Sequence, residues 1–183
     1  MTFQETAIAG VFTIELAPLQ DNRGSFARTF CKHEFASIGF TKDFVQFNHS
    51  WNLAKGTFRG LHYQIPPAAE TKLIRCIRGS VEDIVVDIRR GSPTFLRSLQ
   101  VQLSATNMRM ILIPEGCAHG FLTLEENSEL LYHHTEYYTP ACDKGVRFDD
   151  PCLNVRVSAE IAVMSEKDRS YPLLSHDFEG IAL

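Results

Sequence analysis

The sequence has 183 residues, 44% of them apolar and 22% charged, with a formal net charge of −4. That length suffices for one domain whose core needs neither disulfides nor a structural metal, and the composition is that of a soluble globular chain, not a disordered or membrane one. A negative charge argues against a protein held to nucleic acid by bulk phosphate attraction, yet leaves room for a local cluster of Arg and Lys around one small phosphate-bearing ligand.

The opening stretch MTFQETAIAGVF lacks a basic region followed by an apolar run, and no later segment approaches about 18 uninterrupted apolar residues. Neither a leader nor a membrane span is expected, and the reading is cytoplasmic. Short runs rich in β-branched and aromatic residues then follow one another: GVFTIEL (10–16), FVQFN (44–48), TFRGLHYQ (57–64), TKLIRCI (71–77), SVEDIVVDI (80–88), SLQVQLS (98–104), RMILIP (109–114), GFLTLE (120–125) and SELLYHHTEYY (128–138). Turn signals such as RGS, RRGSP, SATN, PEG and EENS separate many of them. A helix is expected only around KHEFASIG, stopped by Gly39, and in the short stretch after Ser165. Many short strands at even spacing predict an all-β jelly roll or related barrel with short peripheral helices. No repeat or linker divides the chain, so residues 1–183 are read as one domain, with a barrel core at about 10–150 and a segment 151–183 packing on it. The five cysteines (Cys31, Cys76, Cys117, Cys142, Cys152) form no CxxC pair and are odd in number, which fits reduced thiols rather than disulfides or zinc.

GTFRGLHYQ sets Arg59, Gly60 and His62 on one candidate strand, a poor choice for packing alone. In a regular strand Arg59 and His62 face opposite ways, and a bulge at Gly60 would bring them together. Lys72 opens an apolar strand, where it also reads as an edge lysine that discourages aggregation. His119 follows the PEG turn, where a loop histidine is the ordinary explanation, and Tyr132, Tyr137 and Tyr138 read equally as core or rim aromatics. Asp168 lies three residues after Ser165, the spacing of a capping box with a shorter acid, and a helix-capping role competes with a catalytic one.

In order along the chain, DNRGSF, QFNHSWN, RGLHYQ, KLIRCIRGS, VVDIRRGSPTF, PEGCAHGF, YYTP and SEKD together resemble the dTDP-4-dehydrorhamnose 3,5-epimerase family, from about residue 21 to residue 172. The resemblance implies an isomerase with a cupin-type jelly roll, usually a homodimer, acting on a nucleotide-diphosphate sugar without metal or other cofactor. Carried over position by position, it makes His62 the base, Asp168 its hydrogen-bonding partner, Tyr132 the proton donor on the other face of the sugar, and Lys72 the group near the ketone oxygen. It assigns Arg23, Arg59 and His119 to the pyrophosphate and sugar. Gln46, Asn48, Tyr138, Asp143 and Lys167 fall to the nucleotide side. Arg28 stands where the family commonly has Glu, and Asp143 is shorter than the family's usual Glu, so both bear on nucleotide preference.

The implied chemistry suits these residue types. Removing a proton beside a ketone leaves an enolate, so a base effective near neutral pH, a cation at the ketone oxygen and an acid on the opposite face are all required. Three alternatives remain open: an enzyme that inverts C3 only, a metal-dependent cupin oxygenase, and a non-catalytic sugar-nucleotide binding module.

Overall fold

The computed structural model describes all 183 residues as two sheets packed face to face. The first has the order β1-β2-β10-β7-β12-β5, where β1 is Thr2–Glu5, β2 Phe12–Glu15, β5 Gln46–Asn52, β7 Lys72–Arg78, β10 Met110–Ile113 and β12 Ser128–His134. The second has the order β13-β6-β11-β8-β9, where β6 is Thr57–Gln64, β8 Ser80–Asp87, β9 Ser98–Ser104, β11 Cys117–Thr123 and β13 Asp143–Gly145. A short strand β14 (Val163–Met164) runs parallel to β6, and β3 (Leu19–Asp21) pairs only with β4 (Gly24–Phe26). The only helices are α1 (Lys32–Ala36) and α2 (Glu166–Ser170). This is the jelly-roll architecture expected from the spacing of the strands.

Alternation along each strand sorts side chains into three apolar clusters. Ile74 and Cys76 of β7, Ile111 and Ile113 of β10, Leu130 of β12, Val81 and Val85 of β8, and Phe121 of β11 fill the space between the sheets. Their neighbours one residue along, such as Leu73, Met110 and Leu112, point outward and are covered by Phe35 of α1 and Phe40. On the other outer face, Phe58, Leu61, Ile84, Ala118 and Leu122 are covered by Val155, Val157, Ile161, Leu174 and Phe178 of the C-terminal segment. Each fully buried aliphatic or aromatic side chain contributes about 1.5–3 kcal/mol.

The end of β8 is tied down by one buried carboxylate. Asp87 is inaccessible and accepts from Arg89 Nε at 2.9 Å, Ser92 Oγ at 2.5 Å and Thr94 Oγ1 at 2.6 Å. Burial would raise its pKa, but the hydrogen bonds from Arg89, Ser92 and Thr94 outweigh it and hold the group at about 2. Asp87→Ala leaves the half-buried Arg89 without its partner and is expected to destabilise the fold by about 3 kcal/mol. Because the folded-state pKa is depressed, the native advantage is complete above the ordinary carboxylate range and fades as pH falls toward about 2. Calorimetry between neutral and acid pH should therefore show the Tm gap between the two proteins closing on acidification.

Candidate active site

The sequence TFRGLHYQ forms β6, and its pairing with β11 shifts register between His119 and Phe121. His119 pairs with His62 and Phe121 with Arg59, so β6 spends one extra residue over this interval. That bulge turns Arg59 and His62 onto the same inner face, as the glycine between them led us to expect. Gly60 has φ +138°, and a Cβ there would lie 2.6 Å from Gly120 Cα, so no larger residue fits.

His62 is about one-third exposed, and its Nε2 lies 2.7 Å from Oδ1 of the nearly inaccessible Asp168. Asp168 makes only half of the capping box read from its spacing, and its carboxylate turns to His62 instead of back to the Ser165 backbone. Its backbone N–H donates to Ser165 Oγ at 3.1 Å, which caps α2, while its carboxylate faces His62 and accepts from Gly60 N–H at 3.4 Å. Burial would raise the Asp168 carboxyl, but the hydrogen bond and charge of His62, with the Gly60 and Ser165 donors, hold it below the ordinary range. An ionised partner on Nε2 fixes that nitrogen as the protonated one and leaves the Nδ1 lone pair free. Tyr171 closes α2 and sets its ring 6.0 Å from that of His62, over Gly145, whose strand pairs with His62.

The opposite wall comes from β12, where Leu130, Tyr132 and His134 point inward. The Tyr132 hydroxyl lies 3.2 Å from Ser50 Oγ, and its ring is 6.3 Å from that of His119. Burial raises the Tyr132 phenol above its ordinary value, and the Ser50 bond offsets this only in part, so the group stays protonated at neutral pH. On the same sheet, Lys72 of β7 reaches toward β6: its nearly buried ammonium lies 3.3 Å from Glu70 Oε1 and donates to the His62 carbonyl at 3.4 Å. His119 is buried inside β11, not in a loop, and its Nε2 lies 2.9 Å from Asp83 Oδ2. Arg59 is held by Asn52, through Nε at 2.7 Å from Oδ1. The interior histidines are thus each engaged by a carboxylate, and no three His, Cys, Asp or Glu side chains converge as metal ligands.

A second group forms the mouth. Gln46 Nε2 donates to Asn48 Oδ1 at 3.3 Å, and Gln46 Oε1 accepts from the Tyr138 backbone N–H at 3.0 Å. The Tyr138 hydroxyl donates to Asp143 Oδ2 at 3.3 Å, and Lys167 Nζ reaches the same oxygen at 2.6 Å. That bond raises the Lys167 pKa. Two expected site residues are not brought to this pocket within the chain. Arg23 lies in the exposed β3–β4 hairpin and pairs only with Asp21, and Arg28 pairs with Glu34 beside α1. Glu70, Asp83, His134, Ser50 and Tyr171, which sequence reasoning did not single out, belong to the site by these contacts.

One sheet therefore carries a histidine–carboxylate pair, and the sheet facing it carries a protonated phenol and an ammonium that reaches across to the His62 carbonyl. Known proteins share this chain's sequence and fold over nearly its whole length. The sequence model of the dTDP-4-dehydrorhamnose 3,5-epimerase family matches residues 5–176. A dTDP-4-dehydrorhamnose 3,5-epimerase of Shigella flexneri is 40% identical over 169 residues, covering 92% of this chain and 93% of that protein. The crystal structure of the Bacillus anthracis str. Ames enzyme of that name, with TDP and PPi bound, superposes with a TM-score of 0.91 at 39% identity, over 94% of this chain and 99% of the other. A dTDP-6-deoxy-D-glucose-3,5-epimerase from Legionella pneumophila Philadelphia 1, in complex with dTDP-4-keto-L-rhamnose, superposes with a TM-score of 0.87 at 36% identity, over 94% and 92% of the two chains. With near-complete coverage in sequence and in fold, this chain belongs to the dTDP-4-dehydrorhamnose 3,5-epimerase family.

Proposed function

We propose that the protein inverts C3 and C5 of dTDP-4-dehydro-6-deoxyglucose to give dTDP-4-dehydrorhamnose, by proton abstraction and return through an enolate. The observation that carries this reading is that His62 and Tyr132 stand on facing sheets and that the Lys72 ammonium, from the Tyr132 sheet, reaches across to the His62 carbonyl. His62 Nδ1 takes the proton beside the ketone, and the Asp168 carboxylate stabilises the imidazolium that results. The electron pair moves onto the ketone oxygen, where Lys72 meets the developing charge; one such donor is worth about 2.7–4 kcal/mol. Tyr132 then delivers a proton from the other face; before the second centre reacts, the His62 imidazolium gives its proton up to solvent and the Tyr132 phenolate takes one back. Arg59 and His119 line the sugar and pyrophosphate, and Gln46, Asn48, Tyr138, Asp143 and Lys167 the nucleotide. The experiment is turnover of dTDP-4-keto-6-deoxyglucose followed by NMR, with release of the rhamno-configured product expected and unchanged substrate as the contrary result.

The reading extends to a homodimer. The β3–β4 hairpin is exposed throughout, with Leu19 and Phe26 each 75% accessible, and carries Arg23 away from its own pocket. A second copy gives that apolar arm a surface and its arginine a phosphate to meet, a role that fits the guanidinium fork. Free cysteines and the absence of a helix long and apolar enough to cross a membrane are consistent with a cytoplasmic location.

Asp168→Asn keeps the helix cap, because the cap uses the backbone N–H, but removes the charge that orients His62. It is expected to lower kcat by about 10²-fold or more with little change in Tm. Circular dichroism beside steady-state kinetics checks both halves; an unchanged rate with a lost helix would restore capping as the sole role of Asp168.

A further inference from the structure

The polar side chains between Lys72 and the mouth of the pocket form one directed chain of hydrogen bonds, and its direction is set at one end. The Tyr138 backbone N–H can only donate, so the Gln46 atom that accepts it is Oε1. Gln46 Nε2 then donates to Asn48 Oδ1, which turns Asn48 Nδ2 toward His134 Nε2 at 3.2 Å. His134 Nε2 must accept, so the ring carries its proton on Nδ1 and donates it to Glu70 Oε2 at 2.7 Å. The remaining oxygen, Glu70 Oε1, faces the Lys72 ammonium at 3.3 Å. Each group along this line has one orientation available to it.

We propose that Glu70 and His134 are positioning residues that hold the Lys72 ammonium where the enolate oxygen develops. The proposal rests on the epimerase reading above. The Glu70, Lys72 and His134 side chains are each no more than 10% exposed. An ammonium that far from water needs a carboxylate beside it to remain charged, and a carboxylate shared between two donors has its rotamer fixed by both. Burial would raise the Glu70 carboxyl, but the His134 hydrogen bond and the Lys72 charge outweigh it and lower its pKa, consistent with an ionised bridge. The His134 ring also stacks on Tyr132, centroids 6.1 Å apart and 20° between planes, so the same residue braces the acid.

The test is steady-state kinetics of the full chain on dTDP-4-keto-6-deoxyglucose, with dTDP affinity measured by calorimetry. Glu70→Gln and His134→Phe should each lower kcat about tenfold or more, with KM and the dTDP Kd within about twofold of the parent. Deuterium entry at C3 and C5 should fall in the same proportion, because both steps use Lys72. His134→Asn, which restores a donor toward Glu70, should recover part of what His134→Phe loses. Folded Glu70→Gln and His134→Phe proteins with kcat within about twofold of the parent, or with an effect confined to KM, would overturn the proposal. In the unmodified protein, NMR of the imidazole nitrogens should find His134 with a protonated Nδ1 and an accepting Nε2; a protonated Nε2 would overturn it even where the variants do not fold. An inactive parent protein would instead remove the epimerase reading, so the two failures are told apart.

Discussion

His62→Ala is expected to abolish proton exchange at both C3 and C5 while leaving dTDP bound. A positioned general base contributes about 10²–10⁴-fold, and here a single base serves both centres, so kcat should fall by about 10³-fold or more. The groups proposed to hold the nucleotide, from Gln46 to Lys167, make no hydrogen bond to His62. Affinity for dTDP should therefore change by no more than about twofold. Proton NMR in deuterated solvent reads the exchange, and calorimetry reads the binding. Full turnover in this variant would contradict the mechanism.

Tyr132→Phe is expected to separate exchange from inversion. The base and Lys72 are intact in this variant, so the enolate still forms and His62 can return solvent deuterium to the face from which it removed the proton. What is lost is delivery from the opposite wall, and the rate of inversion should fall by about 10²–10⁴-fold. The hydroxyl has one partner, Ser50 Oγ at 3.2 Å, so its removal should cost the fold only about 1 kcal/mol. Measuring deuterium content and ring configuration in the same NMR sample tests this. Inversion at the parental rate would remove Tyr132 as the acid, and loss of exchange together with inversion would show that the phenol is needed to form the enolate.

How far the sequence disclosed this structure depended on whether each element's signal was local. TFRGLHYQ and SLQVQLS form β6 and β9 over the residues expected, because β-favouring residues and turn signals agree at both ends. SELLYHHTEYY reads as a strand to residue 138, yet β12 stops at His134: its partners β7 and β5 reach their ends at Lys72 and Gln46, and no neighbour remains to pair with. The converse holds for β11, which begins at Cys117, inside a weakly β-favouring stretch, because β8 supplies partners from Asp87 onward. That difference moved His119 from a loop into the barrel wall. The exposed hairpin carrying Arg23 has no apolar alternation, so its motif was legible but its strands were not.

The site followed the same division. His62, Lys72 and Tyr132 stand in short motifs, and the glycine between Arg59 and His62 signals the bulge that joins them. Their supporting partners came from far along the chain: Glu70 reaches His134 across 64 residues, Asp83 reaches His119 across 36, and Ser50 reaches Tyr132 across 82. The sequence does hold one signal for such a partner. Asp83 is a charge at an inward position of SVEDIVVD, between Val81 and Val85 of the interior cluster, and a buried charge needs a partner.

Deuterium entry into dTDP-4-keto-6-deoxyglucose during turnover by the unmodified protein tests the central claim most directly, because one spectrum reports substrate, reaction and both stereocentres. The account predicts deuterium at C3 and at C5, with inversion of both and accumulation of dTDP-4-dehydrorhamnose. Deuterium at C3 alone after prolonged incubation, with C5 still protonated and its configuration retained, would contradict it in favour of a C3-only enzyme, and no entry at either carbon would remove the epimerase altogether.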